Sequence, residues 1–472
     1  HNVKMSTRRG GSSSSSDRPI AIAGEHDRLS VVIQKRESSD STDEWLKYLM
    51  IDEEQMSNTT SQKEKMRLVL HMADQQNERK HFEPIVVSIG PCHHGKPELQ
   101  RMEKSKIVFT RQFVRRSAAS SDVLYRKVEE VASEARKCYA DEITEGLDHK
   151  AFTQMMFLDG CFILQFAYCI GNDDERKQMK MKSHDIAFVQ RDLFLLENQL
   201  PFKVLEVLMS SRFTVEEGFE MINKYIQRTR ALHPGGNSWI EKVKNLFKAK
   251  KSEAEANAGG SPIHLLDLVW RQLIDINAFK EESKDGDWCT YRSAQDLKTA
   301  GIHFRPSKTC RFTDVSYESE FYRAVLRLPP MTIDDSTKSL LLNLVAYEMS
   351  ANGPSVSGVT SYIWFIDTLI DHSEDVKELR RKGILLNYLG SDEQVADLFN
   401  NIANDLVPNP YAYTDVKWQI EKHYKNKIKL WITEWVNTHF TSPWTVLAFL
   451  GAFIALVLSF IQTYCGVFEC KT

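Results

Sequence analysis

Apolar residues recur along most of this chain at the spacing of helices that bury one face. In Ser121–Ala140 the apolar set is Val123, Leu124, Val128, Val131 and Ala135, which lines one side of a helix. The same period begins near Asp43 and recurs in Lys63–Arg79. Ala151–Ile170 is apolar on nearly every side and too interrupted to span a membrane, so it predicts a central core helix. Asp192–Leu208 is similarly apolar, with Pro201 predicting a break and a new helix start.

Near Ala300 the period shortens. Gly301–Pro306, Thr309–Glu318 and Phe321–Ile333 alternate, with Tyr322, Ala324, Leu326 and Leu328 on one face, and this predicts antiparallel strands. Helices resume with Ser336–Ser350. Ser391–Ile402 carries a capping box, Ser391 capping and Gln394 reciprocating.

The last long apolar run is uncharged and densest from Trp444 to Tyr464. As a helix it spans about 30 Å, the thickness of a hydrocarbon core. Trp444 and Tyr464 stand at its ends, where amphipathic rings favour the interface. Before it lie Lys417, Lys422, Lys425, Lys427 and Lys429; after it comes only Lys471. That bias predicts a single-pass C-terminal anchor with the main domain in the cytosol, the plasma membrane being favoured. The lysines also suit anionic headgroups. Gly451, Ala455 and Ser459 recur every four residues, a stripe through which two spans can approach as a homodimer.

The expected fold is therefore mainly α: a large helical domain with a small antiparallel β element near 300–335, and one C-terminal transmembrane helix. Residues 1–42 read as a disordered Ser-rich tail without the apolar centre of a signal peptide. Residues 43–410 read as the helical domain, with an exposed insertion at about 230–261. Residues 411–443 read as a basic juxtamembrane helix and 444–468 as the span.

Composition removes several readings. A net charge of -3 gives no global attraction to nucleic acid. The eight cysteines form no CxxC pair and do not read as a disulfide framework. Cys161 and Cys169 lie in apolar surroundings, as small buried hydrophobes do.

Two polar constellations stand out. The loop Gly90-Pro91-Cys92-His93-His94-Gly95-Lys96 offers two imidazoles and a thiol to zinc, but consecutive residues rarely converge on one metal and no second ligand pair appears. Its glycines and Lys96 could hold a phosphate, but the spacing of a phosphate loop is missing. The reading left is a turn locked by histidine hydrogen bonds. Glu197, Asn198 and Gln199 interrupt an apolar run, and Asp159 and Glu348 do likewise. A buried carboxylate must be paired or shift its pKa, so these predict a buried polar hub bonding to backbone near a helix break. No GxSxG, HExxH or dinucleotide fingerprint is present, so no catalytic residue, metal or cofactor is nominated.

Ordered blocks carry a resemblance. VSIGPCHHGKPELQRMEKSK, FLDGCFILQF, DLFLLENQLPF, HLLDLVW, DLKTAGIHFR, LPPMTIDDSTKSLLLNLVAYE, VTSYIWFIDTLI and LGSDEQVADLFN resemble the plant family known as domain of unknown function 247, or uncharacterised protein family 0481. Where that family's loop generally has an aromatic, this chain has Cys92. The resemblance implies plant origin and membrane association, and no established reaction. Two readings follow: a membrane-tethered interaction or signalling protein with a protein partner, or an enzyme with an unrecognised active site. For some grass members the family implies a pollen-side self-incompatibility role.

Overall fold

The computed structural model describes residues 79–229, 261–278, 292–319, 324–350, 353–404, 406–425 and 443–467. The N-terminal tail, the helical period from Asp43, all but the last residue of the insertion, Tyr322, Lys427 and Lys429 lie outside the described residues.

Among the described residues, the N-terminal half is built from α1 (Gln100–Arg116), α2 (Ser121–Arg136), α3 (His149–Gly171), α4 (Ser183–Asp192), α5 (Phe202–Met209) and α6 (Val215–Thr229). The all-round apolar stretch becomes α3, and α1, α2, α5 and α6 pack around it. Among the described residues, two helices are long and apolar enough to cross a membrane. α3 is 78% buried over its apolar window, so its partners are other helices rather than lipid. Its rings meet neighbours edge to face: Phe162 lies 5.3 Å from Phe109 of α1, and Phe166 lies 6.1 Å from Tyr225 of α6. Pro201 stands immediately before α5, where its fixed φ suits a helix start.

The second half begins with α7 (Leu265–Leu273) and the short helix Ala294–Thr299. Then come β1 (Ile302–Pro306), β2 (Ser316–Ser319), β3 (Ala324–Leu328) and β4 (Met331–Ile333). These are followed by α8 (Thr337–Met349), α9 (Gly358–Asp367), α10 (Ser373–Arg381), β5 (Leu385–Asn387), α11 (Asp392–Ala403), α12 (Thr414–Lys425) and α13 (Pro443–Val467). The small β element lies where alternation places it, with Ala324, Leu326 and Leu328 buried. Its direction is mixed rather than antiparallel. β3 is central, antiparallel to β2 and parallel to β1, and β4 pairs parallel with β5. Alternation is the same in both ladder types, so it identifies faces and not strand direction.

Ser391 caps α11 by accepting from Gln394 N at 3.3 Å. The return bond is displaced by one residue, since Gln394 Oε1 accepts from Gly390 N at 2.9 Å.

α7 and α8 meet over a second polar cluster. His264 caps α7, its Nδ1 accepting from Asp267 N at 3.0 Å. Asp267 accepts from Ile263 N, Arg271 Nε and the Tyr347 hydroxyl. Burial lowers the His264 imidazole from 6.5 to about 4. Between those values the unfolded chain binds a proton that the native one does not, so stability falls as pH drops through that window. The expected loss from this residue is about 2 kcal/mol between pH 7 and 5. His264→Asn keeps a capping acceptor without titrating, so it should flatten this part of the profile. Denaturant midpoints for both proteins across that range check it, and parallel profiles would refute it.

Candidate functional site

Two of the polar residues singled out above, Asp159 and Asn198, converge on one segment, Ile85–Gly90, which belongs to no helix or strand and is buried from Val87 onward. Buried backbone groups need partners, and here side chains supply them. Asp192, at the end of α4, accepts from the N–H groups of Ile85, Val86 and Val87 at 2.9, 2.8 and 3.1 Å. Asn198, in the short turn between α4 and α5, accepts from Ile89 N at 2.7 Å and donates to Val87 O at 3.0 Å. Asp159 of α3 accepts from Gly90 N at 2.8 Å. Gln199 donates to Leu193 O and Leu195 O and accepts from Leu266 N, tying the turn to α7.

Gly90 has φ +68, and a Cβ there would come within 2.9 Å of Gln199 O and 3.0 Å of the Tyr139 hydroxyl. Only glycine fits that conformation and that approach. The Tyr139 hydroxyl donates to Gln199 O at 2.9 Å, closing the ring of contacts.

The electrostatics are those of a sealed interior. Lys106 of α1 places its ammonium 2.6 Å from Asp159 and 2.7 Å from Glu103. Burial alone would lower Lys106, but the two carboxylates outweigh it and raise it. Burial pushes the Asp159 carboxyl up, against the opposing pull of Lys106 and Gly90 N–H. Asp192 is also pushed up by burial, opposed by its three backbone donors.

The histidine loop divides. His93 is buried, its Nε2 3.4 Å from Glu197 Oε2, whereas His94 and Gly95 are exposed. Lys96 lies 3.9 Å from Glu83. The turn is closed by backbone bonds, His94 N to Pro91 O and Lys96 N to His93 O, rather than by both imidazoles. Burial and the nearby Glu197 push the Cys92 thiol up to about 12, which removes its nucleophilic form at neutral pH. Among the described residues no three His, Cys, Asp or Glu side chains could hold a metal.

Glu348 of α8 forms a second buried anchor, accepting from the Trp270 indole at 2.6 Å, Val359 N at 2.7 Å and Thr360 N at 2.9 Å. A cavity of about 260 Å³ lies elsewhere, between α4, α6 and the turn before α8. Its Arg191 donates to Lys80 O, Glu83 O and Asp192, and its Asp334 accepts from Ser336 and Thr337. His93, Asp159 and Glu197 do not line it.

Sequence reasoning missed Lys106, Asp192, Tyr139 and Asn343. Lys106 carries a readable signal: it interrupts the buried line Met102, Phe109 and Phe113 of α1. Asn343, in the apolar run of α8, accepts from Leu196 N at 2.8 Å and donates to His81 O. In α13, Gly451, Ala455 and Ser459 share one face of an exposed helix.

Comparison with known proteins gives relatives but no activity. UPF0481 protein At3g47200 of Arabidopsis thaliana is 28% identical over 81% of this chain and 82% of its own length. The putative UPF0481 protein At3g02645 of the same plant is 24% identical over 82% of this chain and 87% of its own length. No solved structure matches. The model of the plant family DUF247, a protein of unknown function, matches residues 67–458, which contain the whole polar hub and the described helical domain before α13. This chain belongs to that plant family of unknown function.

Proposed function

We propose that this protein is a membrane-anchored plant protein that acts by binding a protein partner rather than by catalysis. The observation that carries the reading is α13: Leu447–Tyr464 is long and apolar enough to cross a bilayer and 0% of it is buried against the rest of the chain. A helix satisfies its own backbone, so lipid is a solvent in which such a surface is stable. The lysines on its N-terminal flank favour a cytosolic main domain.

The non-catalytic part rests on closure of the hub. Asn198 and Gln199 are buried and spend their hydrogen bonds on backbone, and buried Asp159 is taken up by Gly90 N–H and the Lys106 ammonium. The solvent face of α1 suits a partner instead. It exposes Lys104, Arg111 and Arg115 around Ile107 and Val108, and its one carboxylate, Glu103, is only partly exposed and paired with Lys106. A mixed-charge face is the ordinary surface of a soluble helix, and this one is complementary to an acidic segment. Signalling, and the pollen-side role carried by some grass relatives, are finer readings that no residue here selects.

In plant cells, the full chain is expected to stay with membranes after alkaline extraction, and a chain ending before Pro443 to be released. Equal extraction of both would remove the anchor. Protease protection in sealed vesicles reports the side, and proximity labelling of both proteins reports the partner.

A further inference from the structure

α12 is packed against the domain along one side, which sets the face it turns outward. Val416, Ile420 and His423 are its buried side. His423 Nε2 is 2.8 Å from Ala300 O, and the Tyr424 hydroxyl donates to Asp296 O at 2.7 Å. Arg292 bonds Glu421 at 3.1 Å and lies 3.8 Å over the Tyr424 ring. These contacts turn Trp418, Lys422 and Lys425, spaced i, i+4, i+7, toward solvent along one stripe. Trp418 is 43% exposed, with the Lys422 ammonium 4.8 Å from its ring centre. Tyr411 and Val407, just before the helix, are also exposed.

We propose that the Trp418–Lys422–Lys425 face of α12 seats on the anionic surface of the bilayer that holds α13. The inference rests on the anchoring reading above and adds which face of the soluble domain meets lipid. Two observations favour lipid over an acidic protein. The first is reach: residues 426–442 join the two helices, and fully extended they span at most about 60 Å. The bilayer is thus always present at high effective concentration. The second is chemistry. Between Lys417 and Lys429 five lysines stand against Glu421, and Glu421 is engaged by Arg292 and Lys425. Cations beside an exposed indole match the headgroup region, where lysine meets anionic lipid and tryptophan sits at the boundary of the acyl chains.

The test uses the full chain reconstituted in vesicles of phosphatidylcholine, with or without phosphatidylserine, whose acyl chains are brominated just below the headgroup. Flotation in high salt first reports the anchor independently of Trp418. On vesicles that carry the chain, wild type should lose more fluorescence than Trp418→Phe. The excess should reach about one ninth of the emission, Trp418 being one of nine tryptophans. It should grow with phosphatidylserine and vanish in Lys422→Gln/Lys425→Gln. Equal quenching of wild type and Trp418→Phe on floated vesicles would overturn the proposal while leaving the anchor standing. A chain that fails to float would instead overturn the anchoring reading.

Discussion

Replacing Lys106 with methionine is expected to destabilise the helical domain by about 3–5 kcal/mol, the cost of leaving a buried carboxylate without its cation. Lys106 is 0% and Asp159 1% exposed, and their charged atoms are 2.6 Å apart. Methionine fills similar volume, so the loss reports charge rather than a cavity. Glu103 is partly exposed and can turn to water, whereas Asp159 keeps only the Gly90 N–H. The double variant Lys106→Met/Asp159→Asn should recover much of the loss, because the amide keeps an acceptor for Gly90 and carries no charge. Denaturant unfolding of the four proteins of this cycle measures the coupling. Additive losses would show that the pair does not act as a unit.

Asp192→Ala should cost about 4 kcal/mol, through orphaned donors rather than lost packing. The carboxylate receives Ile85, Val86 and Val87 N–H together with Arg191 Nη1 at 2.9 Å. Without it, three backbone donors lose their acceptor, while the guanidinium keeps only Glu83 O, Lys80 O and the Ser339 hydroxyl. Asp192→Asn retains one acceptor oxygen and should cost about half as much. Hydrogen exchange localises the effect: the amides of Val86 and Val87 should lose protection before those of α3. Uniform loss along the chain would point to global unfolding and against a local anchor.

Both predictions turn on groups that local patterns could not pair. Gly90 and Asp159 are 69 residues apart in the chain, and Ile85 and Asp192 are 107 apart. Helical and strand periods report only neighbours within about four positions. The chain advertises Asp159 and Asn198 as polar residues in apolar runs, and there the local signal stops. Nothing in the spacing says that both serve the segment Ile85–Gly90.

What the chain alone determined is where apolar faces lie. The spacing in Ser121–Arg136 makes one buried face through Leu124, Val128 and Ala135, although Val123 is exposed and Ala132 is buried in its place. Pro201 starts a helix, and the uncharged run from Trp444 makes the long exposed α13. These follow from side-chain period, fixed proline geometry and the absence of charge, all local quantities. Tertiary structure decided the rest. It chose the partners of α3, whose role as a core helix the interrupted apolar run had already marked, by packing α1, α2, α5 and α6 around it. It set β1 parallel to β3, because alternation carries no strand direction. It buried His93 beside Glu197 while leaving His94 in water, because which side of the loop packs against the domain is set by contacts distant in the chain.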